Sequence, residues 1–170
     1  MITTVTLNPA VDKTIEIENL AINTVNRVRS IRSDPGGKGI NVSKVIASLG
    51  GSSRVVAVLG GAAGSGIADA LKGLGIFTDF VFTGEETRTN IKIIDSIRQT
   101  NTDINEPGRP VDDRVLAAVL EKLQSGLKRG DIVVLAGSLP KGAPRSLYHD
   151  WIKVCKAKGA KVFLDAHDDL

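Results

Sequence analysis

Short apolar runs alternate with amphipathic helical patterns along this chain, and that alternation constrains its fold more than any other feature. Continuous apolar runs predict strands buried on both faces, and apolar residues repeated every three or four positions predict helices. The predicted buried strands are at residues 2–7, 54–59, 77–82, 131–136 and 161–164. The predicted helices are at residues 39–49, 66–74, 112–127 and 145–158. Such alternation predicts a mostly parallel central sheet between two helical layers, a three-layer α/β/α fold.

A second group of strands has a different pattern, in which apolar and polar residues alternate. These strands are predicted at residues 14–17, 24–33, 90–95 and 99–106. No helical pattern separates the partners, so we expect a small, mostly antiparallel sheet with one apolar face to cover. The last two form a predicted hairpin around residues 96–98, although its turn contains no glycine.

The composition excludes several functional classes. The 170 residues are 42% hydrophobic and 24% charged, and the net charge of +3 comes from scattered basic residues. This pattern suits an anionic small molecule and argues against a nucleic-acid partner. The chain has one cysteine, Cys155, so no internal disulfide is expected. With only two histidines in addition, a Cys/His zinc site is not expected either. Without a long apolar run or a secretory signal, the expected location is cytoplasmic, with no membrane partner.

The segment PGGKGINVS at residues 35–43 is the strongest chemical signal. Its glycines permit positive φ angles and a close approach of backbone to ligand. Because the segment opens a helix, its free N–H groups could bind an anion or sugar hydroxyls, with Lys38 and Asn41 beside them. A glycine-rich helix start with a solvated lysine explains the spacing equally well. The spacing fits neither a Walker A loop nor a dinucleotide-binding fingerprint.

Three further segments place polar side chains where ligands bind in α/β folds. TLNPAVD at residues 6–12 puts Asp12 just after the first strand, and GSLP at residues 137–140 puts Ser138 after another. The Arg88 guanidinium, in TRTN at residues 87–90, could bind a phosphate through paired hydrogen bonds. Taken singly, Asp12 and Arg88 are better explained as a solvated turn residue and a surface residue, and Ser138 could belong to a plain strand-to-helix turn. Arg27 and Arg29 share a strand face and could reach a phosphate in a neighbouring subunit, or simply be solvated.

Together, in order and spacing, these four segments resemble the phosphofructokinase-B family of the ribokinase-like superfamily. The resemblance covers essentially all 170 residues, and the segment at 35–43 matches the family's first signature. It implies a ribokinase-like α/β domain over residues 1–170, with a β-sheet lid from about residues 12–35 and 88–106. It also implies a homodimer formed through that lid.

The resemblance implies a role for each matching residue. Asp12 would bind sugar hydroxyls, Arg88 would hold the phosphate, and Ser138 would contact the substrate near the hinge. Arg27 would reach from the lid, into the partner's site. The loop residues that would line the sugar-phosphate pocket are Gly36, Gly37, Lys38 and Asn41.

The implied reaction is ATP-dependent, Mg-assisted phosphorylation of a ketose phosphate. Residues 87–92 are most similar to family members that use fructose 1-phosphate, while residues 24–27 are shared with members that use tagatose 6-phosphate. The family's second signature, which supplies the base and the glycines that stabilise the transferred phosphoryl group, is absent and lies beyond Leu170 in relatives. The magnesium-associated segment is absent too. No catalytic, cofactor-binding or metal-binding residue is therefore expected in this chain.

Two hypotheses follow from these absences. The chain is the amino-terminal part of a sugar-phosphate kinase that lacks the carboxyl-terminal part, or it acts as an inactive sugar-phosphate-binding fragment. We expect the isolated chain to be inactive and marginally stable, because missing strands leave a sheet edge open. Residues 165–170 depart from the family pattern, in which Ser or Thr follows the aspartate, so the resemblance assigns them no role.

Overall fold

A computed structural model describes residues 1–166 as nine strands and four helices. The strands are β1 (Ile2–Thr6), β2 (Ala10–Ile17), β3 (Val28–Gly36), β4 (Ser53–Gly60), β5 (Phe77–Thr83), β6 (Thr89–Asp95), β7 (Thr100–Asn105), β8 (Ile132–Ala136) and β9 (Lys161–Asp165). The helices are α1 (Lys38–Ser48), α2 (Gly61–Gly73), α3 (Asp113–Ser125) and α4 (Leu147–Ala157). The strands form two separate sheets, which we call the main sheet and the lid sheet.

The main sheet has five strands in the order β5-β4-β1-β8-β9, and all of its pairs are parallel. Alternate residues of β4 separate two hydrophobic clusters. Val56 and Val58 pack with residues of α3 and α4 on one face. Val55 and Leu59 pack with residues of α1 and α2 on the other. This arrangement confirms the predicted α/β/α layers, and it brings the carboxyl ends of all five strands to one edge.

The lid sheet has the order β3-β2-β6-β7. Its outer pairs are antiparallel, as predicted, but β2 and β6 run parallel in the middle. The strand β2 is longer than the sequence pattern indicated, because it already begins at Ala10. The strand β3 is shifted, because it begins at Val28 and continues through Gly36. The prediction of a strand over residues 24–33, broken at residue 34, was therefore wrong at both ends.

The start of α2 also differs from the prediction. The helix begins at Gly61, whereas the sequence pattern indicated residue 66. Its first turn has no local capping side chain, and the Glu86 carboxylate takes that role by accepting bonds from Ala62 N at 3.3 Å and Ala63 N at 2.6 Å. A distant residue thus supplies the cap that the local glycine-rich sequence lacks.

The remaining elements match the predicted ones to within two or three residues. The start of α3 follows the sequence signal directly, because Asp112 is its N-cap and accepts a bond from Val115 N at 2.9 Å. Among the residues that the structure describes, no helix is long and apolar enough to cross a membrane. Of the segment 165–170, Asp165 ends β9, while residues 167–170 lie outside the described part of the chain.

Candidate functional site

All the predicted site residues except Arg27 lie where β1 and β8 end, α1 begins and the lid sheet joins the main sheet. Asp12, on β2, is half-buried and accepts a bond from Asn90 Nδ2 at 3.0 Å. Asn90 is its direct partner across the parallel β2–β6 pair. Gly36, on β3, lies so close that a Cβ at this position would overlap the Asp12 carboxylate. Asn90 therefore holds that carboxylate in place, and the glycine at position 36 leaves room for it.

The start of α1 packs directly on β1 through its glycines. Gly37, the N-cap, has φ +118°, and a Cβ there would lie 2.7 Å from Thr6 Cγ2. A Cβ at Gly39 would lie 2.7 Å from the Val5 carbonyl oxygen. The N-cap residue has no capping side chain, and the Thr6 hydroxyl accepts a bond from Ile40 N of the first turn at 3.1 Å. This partly capped helix start favours an anion or a hydroxyl oxygen at its remaining N–H groups.

Lys38, the first residue of α1, and Ser138, just after β8, lie near the carboxyl ends of the main-sheet strands. Lys38 Nζ contacts Asp165 Oδ1 at 3.0 Å, and both side chains are largely exposed. Ser138 Oγ accepts a bond from Asn8 Nδ2 at 3.1 Å, which links the ends of β1 and β8. The intervening Gly137 has φ +102°, and its Cα faces the Lys38 side chain. These contacts leave the lysine charge and the serine hydroxyl accessible at the edge of the sheet.

Arg88 is half-buried beside Asp12 but is held by backbone groups. Its Nη1 donates to the Glu106 carbonyl at 2.9 Å, and its Nη2 donates to the Asn8 carbonyl at 3.4 Å. Burial lowers the pKa of Arg88, while the negative charges of Asp12 and Glu106 act in the opposite sense. The guanidinium remains protonated at neutral pH. Its Nε is buried without a hydrogen-bond partner among the described residues, so the group keeps donor capacity.

Arg27 is not near the other predicted residues. It precedes β3 in an exposed loop, and its neighbour Val28 pairs with Ile17 at the far end of β2. At about 3.3 Å per residue, that end is roughly 16 Å from Asp12. Arg27 and Arg29 do not share a strand face, since only Arg29 lies in the strand, where it bonds Glu18 at 2.9 Å. Arg27 is therefore not part of the cluster within one chain.

Three cavities surround the cluster. The largest, about 570 Å³, lies between the polar face of the lid sheet and α1, and its lining includes Asp12, Lys44 and Asn90. A second, about 400 Å³, is lined by Lys38 and Asn41 of α1 together with Asp165. Arg88 lines a third of only about 30 Å³. The first two are large enough to hold a phosphorylated sugar.

Two residues of the site were not singled out in the sequence. Asn90 stands in a motif that was noticed, but its partnership with Asp12 depends on the parallel β2–β6 pairing, which no local pattern predicts. Lys44 lies one helical turn after Asn41, and its Nζ donates to the Pro35 carbonyl at 2.8 Å and to Asn41 Oδ1 at 3.4 Å. The spacing from Asn41 was the only available signal for Lys44.

The arrangement can bind a polyhydroxylated anion. It offers a carboxylate and an amide for hydroxyl groups, a partly capped helix start, and the cations Lys38, Lys44 and Arg88. Within residues 1–166, no group of three or more His, Cys, Asp or Glu side chains could hold a metal ion. The carboxylate, amide and cations of the cluster are suited to positioning a hydroxyl-bearing anion.

Comparison with curated proteins finds relatives that match nearly the whole of this chain. The chain is 39% identical over 163 residues to the 1-phosphofructokinase of Xanthomonas campestris, covering 95% of this chain and 51% of the relative. It is 38% identical over 165 residues to the 1-phosphofructokinase of Bacillus subtilis, covering 97% and 53%. The chain thus spans about half the length of these relatives.

Solved structures also match nearly the whole of this chain and about half of their own length. Phosphofructokinase-2 from Escherichia coli in complex with fructose-6-phosphate has a TM-score of 0.93 and 26% identity, with 99% of this chain and 55% of that chain covered. A possible 1-phosphofructokinase from Thermotoga maritima has a TM-score of 0.87 and 34% identity, with 98% and 53% covered. The fold is thus ribokinase-like. The sequence matches the pattern of the pfkB family carbohydrate kinases over residues 5–169, and the chain belongs to that family.

Proposed function

We propose that the protein carrying this chain phosphorylates a ketose phosphate, converting fructose 1-phosphate to fructose 1,6-bisphosphate in fructose catabolism. This chain would form the sugar-phosphate-binding part. One observation carries the proposal: the Asp12 carboxylate, bonded by Asn90, lines a cavity of about 570 Å³ under the lid sheet, and Gly36 beside this carboxylate leads directly into the start of α1. The names of the relatives described above support the same substrate.

Each residue has a role that follows from its chemistry. The Asp12 carboxylate, fixed by Asn90, would accept hydrogen bonds from two sugar hydroxyls. Gly36 and Gly37 would let the sugar approach the backbone, with Lys38 and Asn41 beside it. In a second step, Arg88 would exchange one of its carbonyl contacts for the substrate phosphate, to which a guanidinium binds more strongly. Ser138 would contact the substrate from the end of β8.

The phosphoryl donor in this proposal is ATP, with Mg as the charge-neutralising ion. The γ-phosphoryl group would pass to the hydroxyl on the sixth carbon of fructose 1-phosphate, with ADP as the leaving group. The residues that would hold ATP, Mg and the departing proton are expected beyond Leu170. The role of this chain's own residues is therefore to bind and orient the acceptor sugar. A cytoplasmic location belongs to the proposal, because ATP and phosphorylated sugars are cytoplasmic metabolites.

Tagatose 6-phosphate is the second candidate substrate. The loop of residues 24–27 that suggests it is well ordered by its own contacts. The Asn26 side chain donates to the Ala21 carbonyl at 2.7 Å and accepts from Ala21 N at 2.9 Å. This loop lies at the far end of the lid, so it would discriminate between the two sugars only in a partner's site.

A homodimer formed through the lid sheet would bring this loop of one protomer close to the sugar-phosphate site of its partner. One face of the lid sheet is apolar and exposes Ile31 and Ile104 by 56% and 53%, while Ile22 and Val25 in the adjacent loop are 88% and 84% exposed. Large exposed apolar groups on an ordered surface are typical of interfaces. In such a dimer, Arg27 would extend into the partner's sugar-phosphate site.

Calorimetric titration of this chain with fructose 1-phosphate, tagatose 6-phosphate and fructose 6-phosphate tests the binding role. We expect fructose 1-phosphate to bind most tightly, and Asp12→Asn to weaken it by about tenfold or more, because a charge-assisted hydrogen bond is lost. Asp69→Asn, on the exposed side of α2, is the matched control and should bind as the wild type does. Failure of all three sugars to bind would contradict the proposed role.

ADP production tests the kinase role separately. A protein containing this chain and its downstream sequence should form ADP in the presence of fructose 1-phosphate. The 170-residue chain alone should form none above a control without enzyme. Turnover by the chain alone would overturn the division of labour proposed here, and no turnover of any of the three sugars by the longer protein would overturn the kinase assignment.

A further inference from the structure

Asn8, in the connection between β1 and β2, contacts both residues to which the proposed function assigns the substrate phosphate and its surroundings. Its side-chain Nδ2 donates to Ser138 Oγ at 3.1 Å, and its main-chain carbonyl accepts from Arg88 Nη2 at 3.4 Å. Ser138 follows β8, which pairs with β1, whereas Arg88 leads into β6 of the lid sheet. Asn8 therefore connects a hydroxyl group of the main sheet with a guanidinium of the lid.

The direction of the bond between Asn8 and Ser138 decides what the serine can offer to a ligand. A hydroxyl group has one proton and two lone pairs. Because Asn8 Nδ2 donates to Ser138 Oγ, this contact uses a lone pair and leaves the hydroxyl proton free. Ser138 is exposed, so a ligand can reach this proton. An oxygen of a phosphate dianion, which accepts hydrogen bonds and donates none, is a suitable acceptor for it.

The peptide unit before Ser138 is fixed by its own contact. Gly137 has φ +102°, and its carbonyl accepts from the hydroxyl of Tyr148, a buried residue of α4, at 3.0 Å. Rotation of the Ser138 side chain is therefore the main freedom that the hydroxyl group keeps. The contact with Asn8 restricts this rotation and so determines where the hydroxyl proton can point.

The segment 106–111, between β7 and α3, limits the space for the Asn8 side chain. A Cβ at Gly108 would overlap the Asn8 amide group. The φ angle of Gly108 lies outside the left-handed region, so the close approach of Asn8 explains this glycine better than the backbone conformation does. The same segment also accepts from Arg88 Nη1 at the Glu106 carbonyl, at 2.9 Å. Asn8 and Arg88 are thus held by one segment.

From these contacts, we propose that Asn8 is a positioning residue for the substrate phosphate. By donating to Ser138 Oγ, it makes the Ser138 hydroxyl a hydrogen-bond donor to a phosphate oxygen, beside the Arg88 guanidinium. The ligand group is a phosphate monoester dianion, which accepts from both donors at once. The inference rests on the proposed function, because it takes the ligand of Ser138 and Arg88 to be the phosphate of the sugar.

Nuclear magnetic resonance of the ligand-free chain tests the direction of the bond. One Nδ2 proton of Asn8 should resonate downfield of the other, and Ser138→Ala should move it upfield because its acceptor is lost. Side-chain amide resonances of Asn8 that do not respond to Ser138→Ala overturn the proposed contact. This readout requires no binding of a sugar phosphate.

Calorimetric titration with fructose 1-phosphate tests whether Asn8 acts through Ser138. Asn8→Ala and Ser138→Ala should each weaken binding by about five- to tenfold, and the double variant should bind no more weakly than Ser138→Ala alone. Asn8→Asp should weaken binding more than Asn8→Ala, because a carboxylate of similar shape accepts the serine proton and repels the phosphate. Asn101→Ala, at an exposed asparagine of β7, is the control and should bind as the wild type does.

A substitution on the opposite partner supplies a matched test. Gly108→Ala should displace the Asn8 amide and weaken binding of fructose 1-phosphate about as much as Asn8→Ala does. In the Asn8→Ala chain the space beside residue 108 is free, so Gly108→Ala should have no further effect there. Urea denaturation verifies that each variant is folded at the temperature of the titration.

The outcomes separate this inference from the proposed function. If the wild type binds fructose 1-phosphate and Asn8→Ala binds it equally well, the positioning role is overturned and the proposed function stands. Additive losses from Asn8→Ala and Ser138→Ala overturn it too, because Asn8 then acts independently of the hydroxyl group. Wild-type affinity in Asn8→Asp would show that the side chain serves only as a spacer. A wild-type chain that binds no sugar phosphate overturns both the inference and the proposed function.

Discussion

At the scale of single residues, the site depends on glycines, whose missing side chains leave space for neighbouring groups. Gly36 has no side chain, and this leaves space for the Asp12 carboxylate beside β3. Gly39 likewise lets the first turn of α1 approach the Val5 carbonyl. The glycines of the segment 35–43 thus serve close packing of the binding groups as well as access for a ligand.

Replacing Gly36 by alanine tests this packing role. The added methyl group overlaps the Asp12 carboxylate, so we expect Gly36→Ala to destabilise the fold by about 1–3 kcal/mol and to weaken binding of fructose 1-phosphate. Urea denaturation measures the loss. The control is Gly66→Ala in α2, where a Cβ meets nothing within 4 Å, and which should be neutral or stabilising by up to about 1 kcal/mol. Equal effects of the two substitutions would contradict the steric argument.

At the scale of elements, the tip of the lid is held by one buried carboxylate. Asp95, at the end of β6, is 2% exposed and accepts bonds from four backbone N–H groups. Two of the donors, Asn19 and Leu20, belong to the loop after β2, and two, Ile97 and Arg98, belong to the β6–β7 turn. The carboxylate therefore connects the two loops and stabilises a turn that has no glycine.

Lowering the pH should loosen the two loops at the tip of the lid sheet. The Arg98 N–H bond, followed by those of Leu20, Asn19 and Ile97, lowers the pKa of Asp95, while burial acts in the opposite sense. A lowered pKa means that this stabilisation is present above the ordinary value of about 4 and is lost as the pH falls through the lower folded-state value. Amide exchange should show protection at Leu20 and Arg98 falling in that range.

The matched substitutions locate the effect. Asp95→Asn should remove this protection and its dependence on pH together, because the neutral amide is a weaker acceptor. Asp103→Asn changes an exposed aspartate of the same hairpin, paired with Lys92 at 3.5 Å, and should retain both. If protection at these amides stays constant down to pH 2, the Asp95 carboxylate is not what stabilises the tip of the lid sheet.

Comparing α3 with α2 shows how much the sequence could predict. The cap of α3, Asp112, precedes the helix, so a local pattern found it. The cap of α2, Glu86, lies more than twenty positions away and joins the helix only in the folded chain. The same distinction holds in the site. Asp12 was predicted from its place after a strand, whereas the contact with Asn90 depends on a parallel pairing between remote segments.

At the scale of the whole molecule, large apolar side chains are exposed on the lid sheet. Ile31 and Ile104 are 56% and 53% exposed, and Ile22 and Val25 in the adjacent loop are 88% and 84% exposed. Apolar side chains of this kind on an ordered surface favour association, and association stabilises the folded chain.

The melting temperature should consequently depend on protein concentration. Because association stabilises the folded state and not the unfolded one, the wild-type midpoint should rise as the chain concentration increases. The variant Ile31→Lys, which places a charge on the exposed face of the lid sheet, should melt at one temperature at every concentration. The control Asp69→Asn changes an exposed residue of α2 and should retain the dependence. Differential scanning calorimetry across a hundredfold concentration range measures all three proteins. A sharp wild-type transition well above ambient temperature, at the same midpoint throughout, would show that the isolated chain is stable as a monomer.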